Sequence, residues 1–170
     1  MSEEKIVNMK NESVKGQLDS SKRPLIPPDA IIKDYIDSVS KFFNSDESIL
    51  DKHVEKLSTM PSYKMYDLEI WAAFVYFDIT ASPDDGNGPV FKGKAGGLAG
   101  LVGGKAWGTL YTDDIQNLAD NTKSFMFTCY GGVYEALYFY DSNSNLLGYI
   151  QAGGFTIAAG MAGGTGSWSW

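Results

Sequence analysis

The sequence predicts an all-β fold: a compact, closed, antiparallel barrel built from two similar four-stranded halves joined by a short helix and preceded by one or two N-terminal α-helices. Three observations predict it. Of 19 glycines, 18 lie between Gly86 and Gly166, so the chain has two parts with different physics. From Tyr66 onward the residues turn β-branched and aromatic, the composition of strands. And this region repeats itself. Phe74–Asp78 (FVYFD) matches Leu137–Asp141 (LYFYD), and Lys94–Gly97 (KAGG) matches Gln151–Gly154 (QAGG). Each copy runs through a Gly/Ala-rich stretch to a tryptophan, Trp107 or Trp168. Two such halves give about eight strands, and closing them into a barrel removes exposed edges.

The elements follow in order. Residues 1–28 are polar, lack aromatics and end in Pro24, Pro27 and Pro28, which predicts a disordered arm. Residues 29–62 form an amphipathic helical segment. Ile32, Tyr35, Ile36, Val39, Phe42 and Phe43 make one apolar stripe of a helix over 29–43, and a second helix over 46–57 turns Ile49, Leu50, Val54 and Leu57 inward. Residues 63–170 form the barrel domain. DLEIWAAFVYFDIT reads as a strand, SPDDGNG as a turn, and FKGKAGGLAGLVGGKAWGTLY as two strands interrupted by glycine. Thr112 caps a short helix to about Asn121. Strands over 124–130, 133–140, 146–157 and near 167–170 complete the chain. Glycine and alanine facing inward predict a narrow, packed interior without a ligand cavity.

Composition excludes several functions. One cysteine, Cys129, allows no intrachain disulfide, and one histidine, His53, allows no His-rich metal centre. A net charge of −7 lacks the basic face of a nucleic-acid binder. No apolar run is long enough for a transmembrane helix, and the N-terminus shows no classical signal peptide, which keeps a cytoplasmic location as the alternative to export. GPVFKGKA (Gly88–Ala95) nearly fits a phosphate-binding loop, but Ala95 stands where a hydroxyl would hold magnesium, so a strand is expected there. Gly96, Gly100, Gly104 and Gly108 recur every four residues, as do Gly160 and Gly164; the internal repeat favours kinked strands over a membrane-helix packing face.

FKGKAGGLAGLVGGKAWGTLYTDDIQNL and YFYDSNSNLLGYIQAGGFTIAAGMAGGTGSW together resemble the virulence-associated protein family of actinobacterial intracellular pathogens. The resemblance covers residues 63–170. It implies an eight-stranded barrel of two Greek-key halves, no enzymatic activity, no cofactor and no catalytic residue. It also implies a secreted or host-directed effector that helps bacteria persist in phagocytes, with a host endolysosomal membrane lipid or a host protein as partner. A small-molecule or lipid-binding barrel is the alternative.

Among individual residues, Asp78 and Asp141 are expected as turn acceptors at equivalent strand ends, and Glu69 and Glu135 on outward faces. Cys129 is expected to be a buried, inert thiol and His53 a solvated helix residue. Read as a single strand, Ile70–Ile79 is apolar on both faces. That singles out Trp71, Val75 and Phe77 as a candidate interaction surface, which the N-terminal helices either cover or leave open.

Overall fold

A computed structural model describes residues 30–43, 46–73, 76–96, 102–130, 134–155 and 159–170. The arm over 1–28 lies outside them. Helix α1 (Ala30–Asp37) runs into a 3-10 turn (Val39–Phe43) and then helix α2 (Glu47–Thr59). The barrel follows as β1 (Ser62–Ala73), β2 (Tyr76–Pro83), β3 (Val90–Gly96), β4 (Val102–Tyr111), helix α3 (Ile115–Asn121), β5 (Ser124–Tyr130), β6 (Tyr134–Tyr140), β7 (Leu146–Phe155) and β8 (Ala159–Ser169). Asp114, not Thr112, caps α3: its carboxylate accepts from the Gln116 and Asn117 amides, two of the helix's otherwise unpaired donors.

The sheet closes in the order β1-β2-β3-β8-β5-β6-β7-β4. Each half has the spatial order 4-1-2-3 of a Greek key, β4-β1-β2-β3 and β8-β5-β6-β7. The halves join through the β3–β8 and β4–β7 ladders. Thus the predicted fold class stands, and GPVFKGKA runs into strand β3.

The 70–79 stretch is not one strand. Ala73 pairs directly with Tyr76, so β1 and β2 run antiparallel as a hairpin pair. Directly opposed residues share a face. The pairing therefore puts Ile70 with Ile79, and the partner of Ala72, Phe77, on the inside, while Trp71 and Asp78 face out together. The β5–β6 connection is one residue longer, between Tyr130 and Tyr134. That slip explains why the FVYFD and LYFYD repeats mark the right strands but the wrong faces: Phe77 lies in the barrel core, whereas the aligned Tyr140 packs on the outside.

The interior is filled. Tyr66, Phe77, Phe91, Phe125, Phe127, Phe139 and Trp168 share it with aliphatic side chains, the rings mostly meeting edge to face or tilted at 4.9–5.9 Å. Glycine makes the room. Gly93 and Gly166 oppose each other across β3–β8, and a Cβ on them would fall 2.5 Å from the Phe125 ring and 2.4 Å from the Phe91 ring. Gly108 lets β4 approach β7: a Cβ there would sit 2.3 Å from the Gln151 carbonyl oxygen.

Gly108→Ala should therefore lower unfolding free energy by about 1–3 kcal/mol, the range for overpacking. Gly103→Ala, whose Cβ would meet nothing nearer than 4.0 Å, should lie within about 0.5 kcal/mol of the parent. Equal denaturant midpoints for the two variants would contradict the close-approach account.

Candidate functional site

The N-terminal helices cover the second half of the barrel, not β1–β2. Ile31, Tyr35, Val39, Leu57 and Met60 form one apolar cluster with Met126, Ala136, Tyr138, Tyr140, Leu146 and Tyr149 on the outer face of β5, β6 and β7. This is why both faces of β6 are buried. The helical stripe is rotated from the one expected: Ile31, Asp34, Tyr35 and Val39 point inward, Ile32 and Phe43 pack at the edge of the cluster, and Ile36 and Phe42 are exposed.

Two polar networks stitch this seam. Asp34, buried on α1, accepts from the Thr128 hydroxyl at 2.7 Å and from the Tyr138 hydroxyl. Tyr149 donates to the Leu57 carbonyl at 3.1 Å. The second network centres on His53, which is 3% exposed. Its Nε2 lies 2.7 Å from the Ser144 carbonyl and its Nδ1 2.5 Å from the Tyr35 hydroxyl, and Tyr140 donates to Tyr35 at 3.1 Å. The ring is packed edge-on against Tyr35 and Phe43. His53 is thus not solvated; α2 turns it inward beside Leu57. Burial lowers its imidazole below the ordinary value near 6.5, against the opposing pull of the Ser144 carbonyl. Ser144 has φ 63°, left-handed for a residue with a side chain, and the Asp141 carboxylate braces this turn by accepting from the Asn143 and Asn145 amides. Burial raises the Asp141 carboxyl, but hydrogen bonds from Asn145 and Asn143 outweigh it and hold it below the usual range.

Of the expected surface residues, Trp71 is half-buried on the outer face, Val75 lies outside the described residues, and Phe77 is 1% exposed within the core. Phe77 is therefore a packing residue, for the hairpin reason given above. Glu69 is exposed as expected. Asp78 is not a turn residue; it faces solvent in mid-strand, with the Lys94 ammonium at 4.0 Å across β2–β3. Glu135 is fully buried, opposite the buried Cys129 on the inward side of β6. Glu69 and Asp78 share the outer face of the paired strands β1 and β2, whereas Glu135 faces inward on β6 and Asp141 sits in the turn after it. Among the described residues, no group of three or more His, Cys, Asp or Glu side chains is placed to hold a metal ion, and no helix is long and apolar enough to cross a membrane. A cleft of about 260 Å³ opens outside the barrel wall, between Phe42 and Phe43 of the 3-10 turn and Met126, Tyr140, Gly163 and Gly164.

The two ends of the barrel differ in chemistry. Strands alternate in direction, so the β1–β2, β3–β4, β5–β6 and β7–β8 connections all leave from one end. Their sequences, residues 74–75 (FV), 97–101 (GLAGL), 131–133 (GGV) and 156–158 (TIA), contain no charged residue. Trp71 and Tyr76, the latter 76% exposed, stand on the strands beside them. The opposite end carries Asp84, Asp85, Asp113, Asp114, Asp120 and Asp141.

A family model described as Rhodococcus equi virulence-associated protein matches residues 4–169. The chain belongs to this family. The match reaches well beyond residues 63–170 and takes in the helical segment. Among solved structures, the chain is similar to the virulence-associated protein VapB of Rhodococcus equi, at 38% identity and TM-score 0.54, over 63% of this chain and 98% of that one. It is also similar to VapD of Rhodococcus equi, at 35% identity and TM-score 0.53, over 64% of this chain and 100% of that one. No curated protein matches the chain. Membership of the virulence-associated family supports a virulence-associated role.

The sequence-based reading placed Tyr35 on the apolar stripe but missed its seam neighbours Asp34, His53, Tyr138 and Tyr140. A signal for them existed in YEALYFY, which is apolar on both faces like the 70–79 stretch, and in the polar Asp34 set between Ile31 and Tyr35. Tyr138→Phe leaves the buried Asp34 carboxylate short of a donor and should cost about 1.5–3 kcal/mol in a denaturant titration, whereas Tyr149→Phe, which removes a neutral bond, should cost about 0.5–1.5 kcal/mol. The reverse order would contradict a charge-assisted seam.

Proposed function

We propose that this member of the family is a non-enzymatic, host-directed effector that works by surface contact, and that its contact surface is the end of the barrel whose four connections hold no charged residue, with Trp71 and Tyr76 beside them, against a host membrane lipid surface. One observation carries the reading: the interior is packed with side chains, so what the barrel recognises must be met on its outside. The four connections at that end hold no charge, and the exposed Asp78 opposite Trp71 lies across from Lys94. An exposed tyrosine and a half-buried tryptophan suit the interface between water and hydrocarbon, where amphipathic rings are favoured. The −7 net charge, with aspartates gathered at the far end, orients that end away from anionic lipid. A lipid-carrying barrel would need interior space, and aromatic rings occupy it.

The test is flotation of the full chain with neutral phosphatidylcholine vesicles. The parent should float, and Trp71→Ser with Tyr76→Ser should reduce binding by about tenfold or more, while Asp84→Asn with Asp85→Asn should leave it unchanged. A parent that does not float would overturn the lipid target and leave a host protein in its place. A Trp71/Tyr76 variant that floats as the parent does would move the contact away from this end.

A further inference from the structure

The chain's single histidine sits at the seam between the helical layer and the barrel, with both ring nitrogens engaged. The geometry assigns every proton. The Ser144 carbonyl can only accept, so Nε2 carries the hydrogen and Nδ1 is left as an acceptor for Tyr35. The Tyr35 oxygen accepts in turn from Tyr140. The result is a directed chain, Tyr140 to Tyr35 to His53 to Ser144, which joins β6, α1, α2 and the β6–β7 turn.

A second ring proton breaks this order. Nδ1–H and the Tyr35 hydroxyl would then both be donors at 2.5 Å. Reversing the chain would turn the fully buried Tyr140 proton away from Tyr35 and into the packing around Phe43. The surroundings do not offset the new charge. The titratable groups on the elements around the ring are Lys33, Asp34, Tyr35 and Asp37 on α1, Lys41 on the 3-10 turn, Tyr134, Glu135, Tyr138 and Tyr140 on β6, Asp141 in the turn and Tyr149 on β7, with Glu47, Asp51, Lys52, Glu55 and Lys56 on α2 itself. Asp34 is engaged by Thr128 and Tyr138, and Asp141 by Asn143 and Asn145. Both hydrogen-bond partners of the ring are neutral.

We propose that His53 is an acid-sensitive latch that holds residues 30–60 on the β5–β7 face, and that protonating it releases this helical layer and uncovers the aromatic surface of Tyr138, Tyr140 and Tyr149. This goes beyond the lipid-contact reading and stands without it. The direction follows from linkage. The docked ring binds its proton more weakly than a free one, so docking is fully stable above the ordinary value near 6.5 and weakens as pH falls below it. Each pH unit between the free and docked values shifts the equilibrium about tenfold toward release.

Amide hydrogen exchange of the full chain at about pH 7.5 and about pH 5, corrected for intrinsic rates, tests this. The α1 and α2 amides should lose about tenfold or more in protection at the lower pH, while β2 and β3 keep theirs. His53→Gln can donate to Ser144 and accept from Tyr35 without titrating, so it should stay docked at both. Three results would overturn the latch: unchanged protection in the parent, an equal loss in His53→Gln, or a loss shared by the barrel strands. Because the chain has one imidazole, its proton resonance gives a second readout that needs no variant. Its titration should coincide with helix release, and a midpoint near the free value with no change in α1 would overturn the proposal as well.

Discussion

Closure of a narrow barrel over aromatic rings is the constraint from which the rest follows. Eight short strands closing on themselves leave a space that a few rings fill, and here Phe77, Phe91, Phe125, Phe127, Phe139 and Trp168 fill it. They fit because glycine stands opposite them. Gly93 and Gly166 remove side chains where the Phe91 and Phe125 rings must lie, and Gly108 draws two strands together. The glycine content is therefore a packing device as much as a bending one. A dense interior is stiff and holds its strand registers rigidly. It also leaves the described interior occupied by side chains.

The surface then divides into three parts. One side carries a helical layer, docked through an apolar cluster and two hydrogen-bond networks. One end is ringed by aspartates, and the other presents connections whose sequences hold no charge. The solved relatives match about two thirds of this chain while being covered almost entirely themselves, and the barrel from Ser62 onward has that length. The family match over residues 4–169 takes in the helical layer as well as the barrel. Buried polar groups at the seam between them, Asp34 and His53, fix one docked geometry.

Much of the fold was legible in the sequence. The glycine boundary, the alternation of residue types and the repeat located two similar halves, and the KAGG and QAGG segments fell on the corresponding strands β3 and β7. What was not legible was phase. The register that pairs Ala73 with Tyr76 sets the faces of β2, and no turn-forming residue announces it in AAFVYF. That register moved Phe77 from the expected surface into the core. His53 was misread for a related reason: its flanking charges, in DKHVEK, describe the exposed side of α2, and only tertiary packing shows that the ring faces the other way. The end whose four connections hold no charge could not be seen from sequence either, since these connections come together only when the topology closes.

The measurement that tests the filled barrel most directly is a titration of the full chain with a long-chain fatty acid, followed through the methyl resonances of Leu68, Ile79 and Ile150, which are all 0–1% exposed in the core. The account predicts that these resonances stay unchanged and that no one-to-one complex forms. A saturable one-to-one complex that shifts them would show that the interior opens to a ligand, and would contradict the claim that this barrel acts from its outside.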